Sequence, residues 1–292
     1  MMSEKIKTGL IDVGGGMRDV YGAGVLDRCL DLGIRFDVCA GVSAGAANIT
    51  SFLAGQRGRN YRFYTQYAFR REYMSLGNYL RTGNYLDLEY VYGTLTNRGG
   101  EDPLDYPKVA SSGVEFVIVA TDASNGRPRY YGLTDLRQDD YGPVKASGNV
   151  PMVNRPYRIG GVPLYDGGIA DPIPLDACFS RGCGRAVLIL TRPKDYRRSA
   201  KKDAAVAKWL KRRWPGCAEA MSARADTYNR ALDRAAKMEK EGKLLILAPD
   251  DIGNMKTLTR DRQAVEALYQ KGLRDAEALR AWFGPGMQPA DG

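Results

Sequence analysis

The sequence predicts a three-layer α/β/α sandwich with a mainly parallel central sheet and a helical C-terminal extension. Two observations carry this expectation. Residues 5–55 alternate strand, helix, strand and helix, the order of a parallel sheet. Apolar runs at 114–121, 185–191 and 243–248 then supply strands buried on both faces.

The elements follow in order. KIKTGLIDV (5–13) reads as the first strand, and Gly14-Gly15-Gly16 ends it. Helical spacing runs over 19–32 through Val20, Ala23, Leu26 and Leu30, until Gly33 stops it. Residues 34–42 form the second strand, Ser43 follows at once, and 44–55 resume as a small-residue helix. Residues 57–92, rich in Tyr and Arg, read as a helical insertion covering the sheet, with a lid as the bolder alternative. After strand 114–121, Asn125-Gly126 marks a turn and 128–133 pair back as a hairpin arm. A helix is expected over 134–148 and a short hairpin over 157–165, ending at Asp166-Gly167-Gly168. Beyond strand 185–191 the chain turns basic and helical to residue 240. Strand 243–248, a helix over 257–283 and a frayed Pro/Gly-rich tail complete it.

Composition narrows the chemistry. With 44% hydrophobic and 26% charged residues over 292 positions, a sizeable core is expected rather than disorder. No apolar run reaches eighteen residues, and the N-terminal segment lacks the apolar stretch of a signal peptide. The five cysteines form no C-x-x-C pair, so they read as reduced, mostly buried thiols of a cytoplasmic protein. There is no histidine. That removes Ser-His-Asp triads, Cys-His dyads and histidine-zinc hydrolases together, and a general base must be sought among Asp, Glu, Lys and Tyr. The net charge of +9 permits anionic partners without choosing one.

Three segments carry chemistry. Gly41-Val42-Ser43-Ala44-Gly45 is G-x-S-x-G, placed between a predicted strand and a predicted helix. Such a turn pushes the serine hydroxyl out of the sheet edge, and the helix start aims its positive end at a developing oxyanion. Gly14, Gly15 and Gly16, followed by Met17 and Arg18, offer backbone N–H groups with no side chains in the way. A dinucleotide fingerprint would need a glycine where Asp19 stands, so this loop reads as an oxyanion or phosphate cradle. Asp166, with Gly167 and Gly168 behind it, is a carboxylate at a strand end able to approach another loop closely.

In this order and spacing the segments resemble the patatin-like phospholipase family, its bacterial cytoplasmic branch most closely. The likeness takes in Gly22-Ala23-Gly24-Val25-Leu26-Asp27, Ala146-Ser147-Gly148-Asn149-Val150-Pro151 and the run from Asp166 to Pro174. The resemblance implies a catalytic domain over 6–191 and a basic helical extension with one further strand over 192–292. It implies Ser43 as nucleophile, Asp166 as general base, and Gly14, Gly15, Gly16 and Met17 as the oxyanion loop braced by Arg18. Gly41, Gly45, Gly167 and Gly168 take supporting places. The implied activity is hydrolysis of lipid-like acyl esters, without metal or cofactor. Acyl transfer to an alcohol or lysolipid, and a non-catalytic regulatory protein on the same fold, stand as alternatives. Two departures from the family pattern stand out: Asp19 where glycine is common, and Asn149 where a small residue is expected beside the acyl-binding wall.

The remaining signals are weaker. Val206, Trp209, Leu210 and Trp214 fit one apolar face of a basic helix. The favoured reading packs that face on the sheet, and the alternative lays it on an anionic membrane. The tyrosines of 59–92 read as core or pocket lining rather than nucleobase stacking, so no nucleic acid is expected. Asp122 reads as a loop brace, and Asp87, Glu89, Glu101 and Asp102 lack metal-ligand spacing.

Overall fold

The computed structural model describes residues 6–284. The C-terminal tail expected to fray therefore lies, after Gly284, outside the described residues. Strand β1 (Lys7–Asp12), helix α1 (Val20–Asp31), strand β2 (Val38–Val42) and helix α2 (Ala44–Leu53) reproduce the expected alternation. The insertion follows as α3 (Arg59–Thr65) and α4 (Leu76–Thr82), with a wide turn of helix at Tyr90–Leu95. Then come α5 (Tyr106–Ala110), β3 (Glu115–Asp122), β4 (Pro128–Tyr131), α6 (Gly142–Ser147), β5 (Tyr157–Ile159) and β6 (Val162–Asp166). The second half holds α7 (Leu175–Phe179), β7 (Cys183–Ile189), α8 (Lys201–Leu210), α9 (Pro215–Lys240), β8 (Leu244–Leu247), α10 (Arg262–Asp275) and α11 (Ala278–Phe283).

The eight strands form one sheet in the order β5-β6-β3-β2-β1-β7-β8, with β4 beside β3. The run from β3 to β8 is parallel, and the β4, β5 and β6 pairings are antiparallel. Two-residue periodicity sorts the side chains. Leu10, Phe116, Ile118 and Val187 meet α1, α2 and α10 on one face, while Ile11, Val117, Ala186 and Leu188 meet α7 and α9 on the other. Helices α1 and α10 approach backbone to backbone at Gly24 and Gly272. A Cβ on either would lie 2.3 Å or less from a carbonyl oxygen of the facing helix. Strand order reverses direction at β1, with β2 and β3 to one side and β7 and β8 to the other. In open α/β sheets ligands bind outside the carboxyl ends of the strands at such a point.

Several expectations are corrected. The helix over 134–148 shrinks to α6, because Asp139 takes a left-handed φ of 64° in a turn and Gly142-Pro143 starts the helix afresh. Residues 257–261 are not helical. They run as a loop toward the first glycine segment, and α10 begins after Asp261, whose carboxylate caps it. Val206, Trp209, Leu210 and Trp214 do not share one face. Leu210 is fully buried and Val206 and Trp214 pack beside it, whereas Trp209 stands in solvent. All five cysteines are free and buried. Among the described residues no helix is long and apolar enough to cross a membrane, and no group of residues could hold a metal ion.

Candidate active site

Ser43 sits where the elbow pattern puts it, between β2 and α2. Its backbone is forced to φ 57°, ψ −127°, a region that costs a non-glycine residue free energy and persists only when neighbours fix it. Those neighbours are explicit. The Ser43 N–H donates to the Ser147 hydroxyl at 2.8 Å, and Ser147 donates to the Val119 carbonyl at 2.6 Å, so β3 pins the elbow from behind. The flanking glycines answer a packing need. A Cβ on Gly41 would lie 2.5 Å from Ala46, and one on Gly45 would lie 2.4 Å from the Asp12 carbonyl.

The glycine loop lies beside the start of α2. Gly14, Gly15 and Gly16 all take positive φ, at 67°, 144° and 60°. The Gly14 carbonyl accepts from the Thr191 hydroxyl at 2.6 Å, which turns the Gly14–Gly15 peptide. Arg18 is buried against the back of the loop and donates to Thr257 Oγ1 at 3.2 Å. Burial and the nearby Arg192 push its guanidinium down to about 10. Two of the four expected oxyanion donors are otherwise engaged. Gly14 N–H donates to Asp12 Oδ1 at 3.1 Å, and Met17 N–H donates to the Thr257 carbonyl at 2.9 Å. The amides of Gly15 and Gly16 have no such acceptor among the described residues, and they narrow the loop's free donors to two.

Asp19 finds its explanation under this loop. It faces Asp12, fully buried, and burial drives the pKa of both carboxyls above the usual aspartate range. Asp12 at the same time accepts from the Gly14 N–H.

Asp166 ends β6, directly across the sheet from Ala120 of β3. Its N–H donates to the Asn149 carbonyl at 2.8 Å, and its own carbonyl accepts from the Thr121 hydroxyl at 2.8 Å. Its carboxylate accepts from Gly168 N–H at 2.8 Å. Burial raises its pKa above the usual carboxylate range. Arg224, the neighbouring Ser43 side chain, the Gly168 amide and Arg198 oppose that rise, in falling order. Ser43 and Asp166, 123 positions apart in the chain, are thus close enough for the serine side chain to act on the carboxyl. Gly167 is required because a Cβ there would lie 2.1 Å from the Val119 carbonyl. Asn149 does not reach into the acyl wall. Its amide donates to the carbonyls of Arg155 and Leu164 at 2.8 and 3.1 Å, tying the preceding loop to β6.

A mostly apolar cavity of about 90 Å³ opens over Ser43. The Tyr/Arg insertion builds one wall through Phe63, Tyr64, Tyr73 and Leu88, while Gly16, Met17 and Leu258 face it from the loop side. The insertion is anchored by charge, since buried Asp102 takes the guanidinium of Arg62 at 2.6 Å and that of Arg59 at 3.5 Å. Glu89 and Glu101 are likewise paired, with Lys145 and Arg70, each within 2.6 Å.

Arg224, Thr257, Ser147 and Asp12 were not among the residues expected to shape the site. Ser147 lay inside a segment already noted for its resemblance. Arg224 and Thr257 had no local signal, because they arrive from α9 and from the loop before α10. Arg224 donates to the Gly168 carbonyl and reaches Asp203 at 3.8 Å, and burial lowers its own pKa.

Comparison with known proteins agrees with this architecture. A family model described as Patatin-like phospholipase matches residues 13–179, and a second, described as Domain of unknown function (DUF6363), matches residues 214–282. The uncharacterized protein YjjU of Escherichia coli (strain K12) is 27% identical over 206 residues, covering 69% of this chain and 56% of that protein. The chain thus spans little more than half the length of that relative. The crystal structure of VipD from Legionella pneumophila superposes with a TM-score of 0.50 at 14% identity, covering 95% of this chain and 67% of the other, a likeness of fold. The first match spans more than half of the sequence and takes in the elbow, the glycine loop and Asp166, so the chain belongs to the patatin-like phospholipase family.

Proposed function

We propose that this protein hydrolyses carboxylic esters of lipid-like substrates through Ser43 and Asp166. One observation carries the reading. A strained serine faces a buried carboxylate, beside two free glycine amides, at the floor of an apolar cavity.

The steps follow from the groups present. Asp166 takes the Ser43 proton as Oγ attacks the ester carbonyl, and the oxyanion forms against the N–H groups of Gly15 and Gly16 and the start of α2. Collapse breaks the ester C–O bond, and the leaving alkoxide takes the proton back from Asp166. Water then gives its proton to Asp166 and attacks the acyl-serine. The second collapse releases the free acid and returns the proton to Ser43. The neighbouring cavity wall accepts the acyl chain, and its apolar lining selects for hydrocarbon over a charged acyl group.

A fluorophosphonate probe and a fluorogenic acyl-ester series test the reading together. Wild type is expected to be labelled and to release fatty acid, and Ser43→Ala to do neither while melting normally. An unlabelled, inactive wild type would leave the fold without hydrolase chemistry. Products that retain the acyl group on an added alcohol would redirect the second step to transfer.

A further inference from the structure

Helix α4 is turned inside out. Its buried side chain is Asn78, whose amide donates to the carbonyls of Arg71 and Glu72 at 3.2 and 3.0 Å. Its apolar residues face water: Leu76 is 66% exposed, Tyr79 44% and Leu80 79%. Met152, held at φ 64° in the loop after Val150, and Trp209 of α8 are also about half exposed. Tyr79, Leu80, Met152 and Trp209 line one broad groove. Clustered apolar exposure of this kind on a folded domain marks a contact surface, whereas single exposed residues need no explanation.

The charge around the groove chooses the partner. Arg81, Arg155, Arg212 and Arg213 line it as well, and no acidic side chain does. Lys208 and Lys211 extend the positive field along the exposed side of α8. Large apolar side chains and tryptophans set among arginines that make no salt bridge among the described residues suit the headgroup boundary of an anionic bilayer. The groove also adjoins the catalytic cavity through the chain itself. Tyr73 and Met74 line the cavity just before α4 lines the groove, and Val150 does so two residues before Met152. The Tyr85 N–H donates to the Val153 carbonyl at 2.8 Å, stitching the two segments together.

We infer that α4, the loop 151–156 and the end of α8 form a docking surface for an anionic phospholipid bilayer, placed to hand lipid to the cavity over Ser43. The inference rests on the lipid-hydrolase reading for its purpose, and the surface can be tested without turnover. Full-length Ser43→Ala protein, which leaves vesicles intact, is floated with vesicles of phosphatidylglycerol and phosphatidylcholine or of phosphatidylcholine alone. Capture is expected only with the anionic vesicles and is expected to fall with added salt. Arg212→Ala/Arg213→Ala should weaken it roughly thirtyfold, and Leu80→Ser/Trp209→Ser by at least about tenfold. In the Ser43 background both pairs should keep turnover of a soluble short-chain ester and lose vesicle hydrolysis in proportion to capture. Unchanged capture by both double variants would overturn the assignment. So would a wild-type dimer that Leu80→Ser/Trp209→Ser dissociates, which would give the face to a second copy. Normal capture by a wild type inert toward every ester would refute the hydrolase reading while leaving the docking surface standing.

Discussion

The two partners at the candidate centre are held in different ways. Ser43 is fixed by nearby neutral parts: a strained turn, two glycines that admit close packing, and the Ser147 hydroxyl bridging to β3. Asp166 is fixed at its backbone by Asn149 and Thr121, but its charge is managed from far along the chain by Arg224 and Arg198. The glycine loop divides likewise, with Thr191 on one side and Thr257 on the other. The elbow and the Asp166 backbone are set by residues up to Asn149, whereas the C-terminal half holds the glycine loop through Thr191 and Thr257 and supplies the charges near Asp166. A carboxylate acting as base must be ionised yet buried, so it needs a cation that no short motif contains.

Substitutions can break this contrast, from the largest expected effect to the smallest. Ser43→Ala is expected to lower kcat at least ~10³-fold with the melting temperature retained, read by ester turnover and calorimetry. Asp166→Asn should lose about as much, roughly 10³–10⁴-fold, since the isosteric amide keeps the shape but cannot take the proton. Retention of most turnover there would move the base elsewhere. Ser147→Ala removes the acceptor of the strained Ser43 amide and should destabilise the fold by about 1–3 kcal/mol while cutting kcat, measured by urea titration beside turnover.

Arg224→Met sharpens the electrostatic half. Turnover needs ionised Asp166, so it falls as pH drops through the Asp166 pKa, which burial already holds above the ordinary value. Removing Arg224 removes the largest opposing influence. The acid limb of kcat should therefore move to higher pH, with the alkaline plateau nearly unchanged. An unmoved limb would make Arg224 a brace for Gly168 alone. The smallest effect concerns the buried acid pair. Burial raises the folded pKa of both Asp12, to about 6, and Asp19, so stability is expected to fall as pH rises from the ordinary carboxylate range through about 6 and on through the value of Asp19. Asp19→Asn should flatten that decline in melting temperature, because an amide can hydrogen-bond ionised Asp12 without titrating.

Legibility in the sequence follows the same division. The elbow and the triple glycine are marked locally by particular small residues within five positions, whereas Asp166-Gly167-Gly168 is a weak signal alone and gains its meaning from the order of all three segments. The parallel order was readable from buried β-branched runs, and β4 from Asn125-Gly126. The missed features depend on distant pairing. Nothing near Thr257 shows that its carbonyl takes the Met17 amide, so the set of oxyanion donors was read too generously. The helix over 134–148 was overextended across a turn in which Asp139 is left-handed and after which Gly142-Pro143 restarts the helix. Asn149 was assigned to the substrate wall by position alone, whereas its amide faces backbone carbonyls.

The engagement of Met17 by Thr257 has a consequence for biosynthesis. Every signature residue has been translated once Gly168 is added, yet Arg224 and Thr257 are still to come. A growing polypeptide would carry the whole motif set with its Met17 amide unclasped and its carboxylate lacking a counter-ion. On the proposed mechanism, competence to attack an ester would thus arrive only once the C-terminal half has been made.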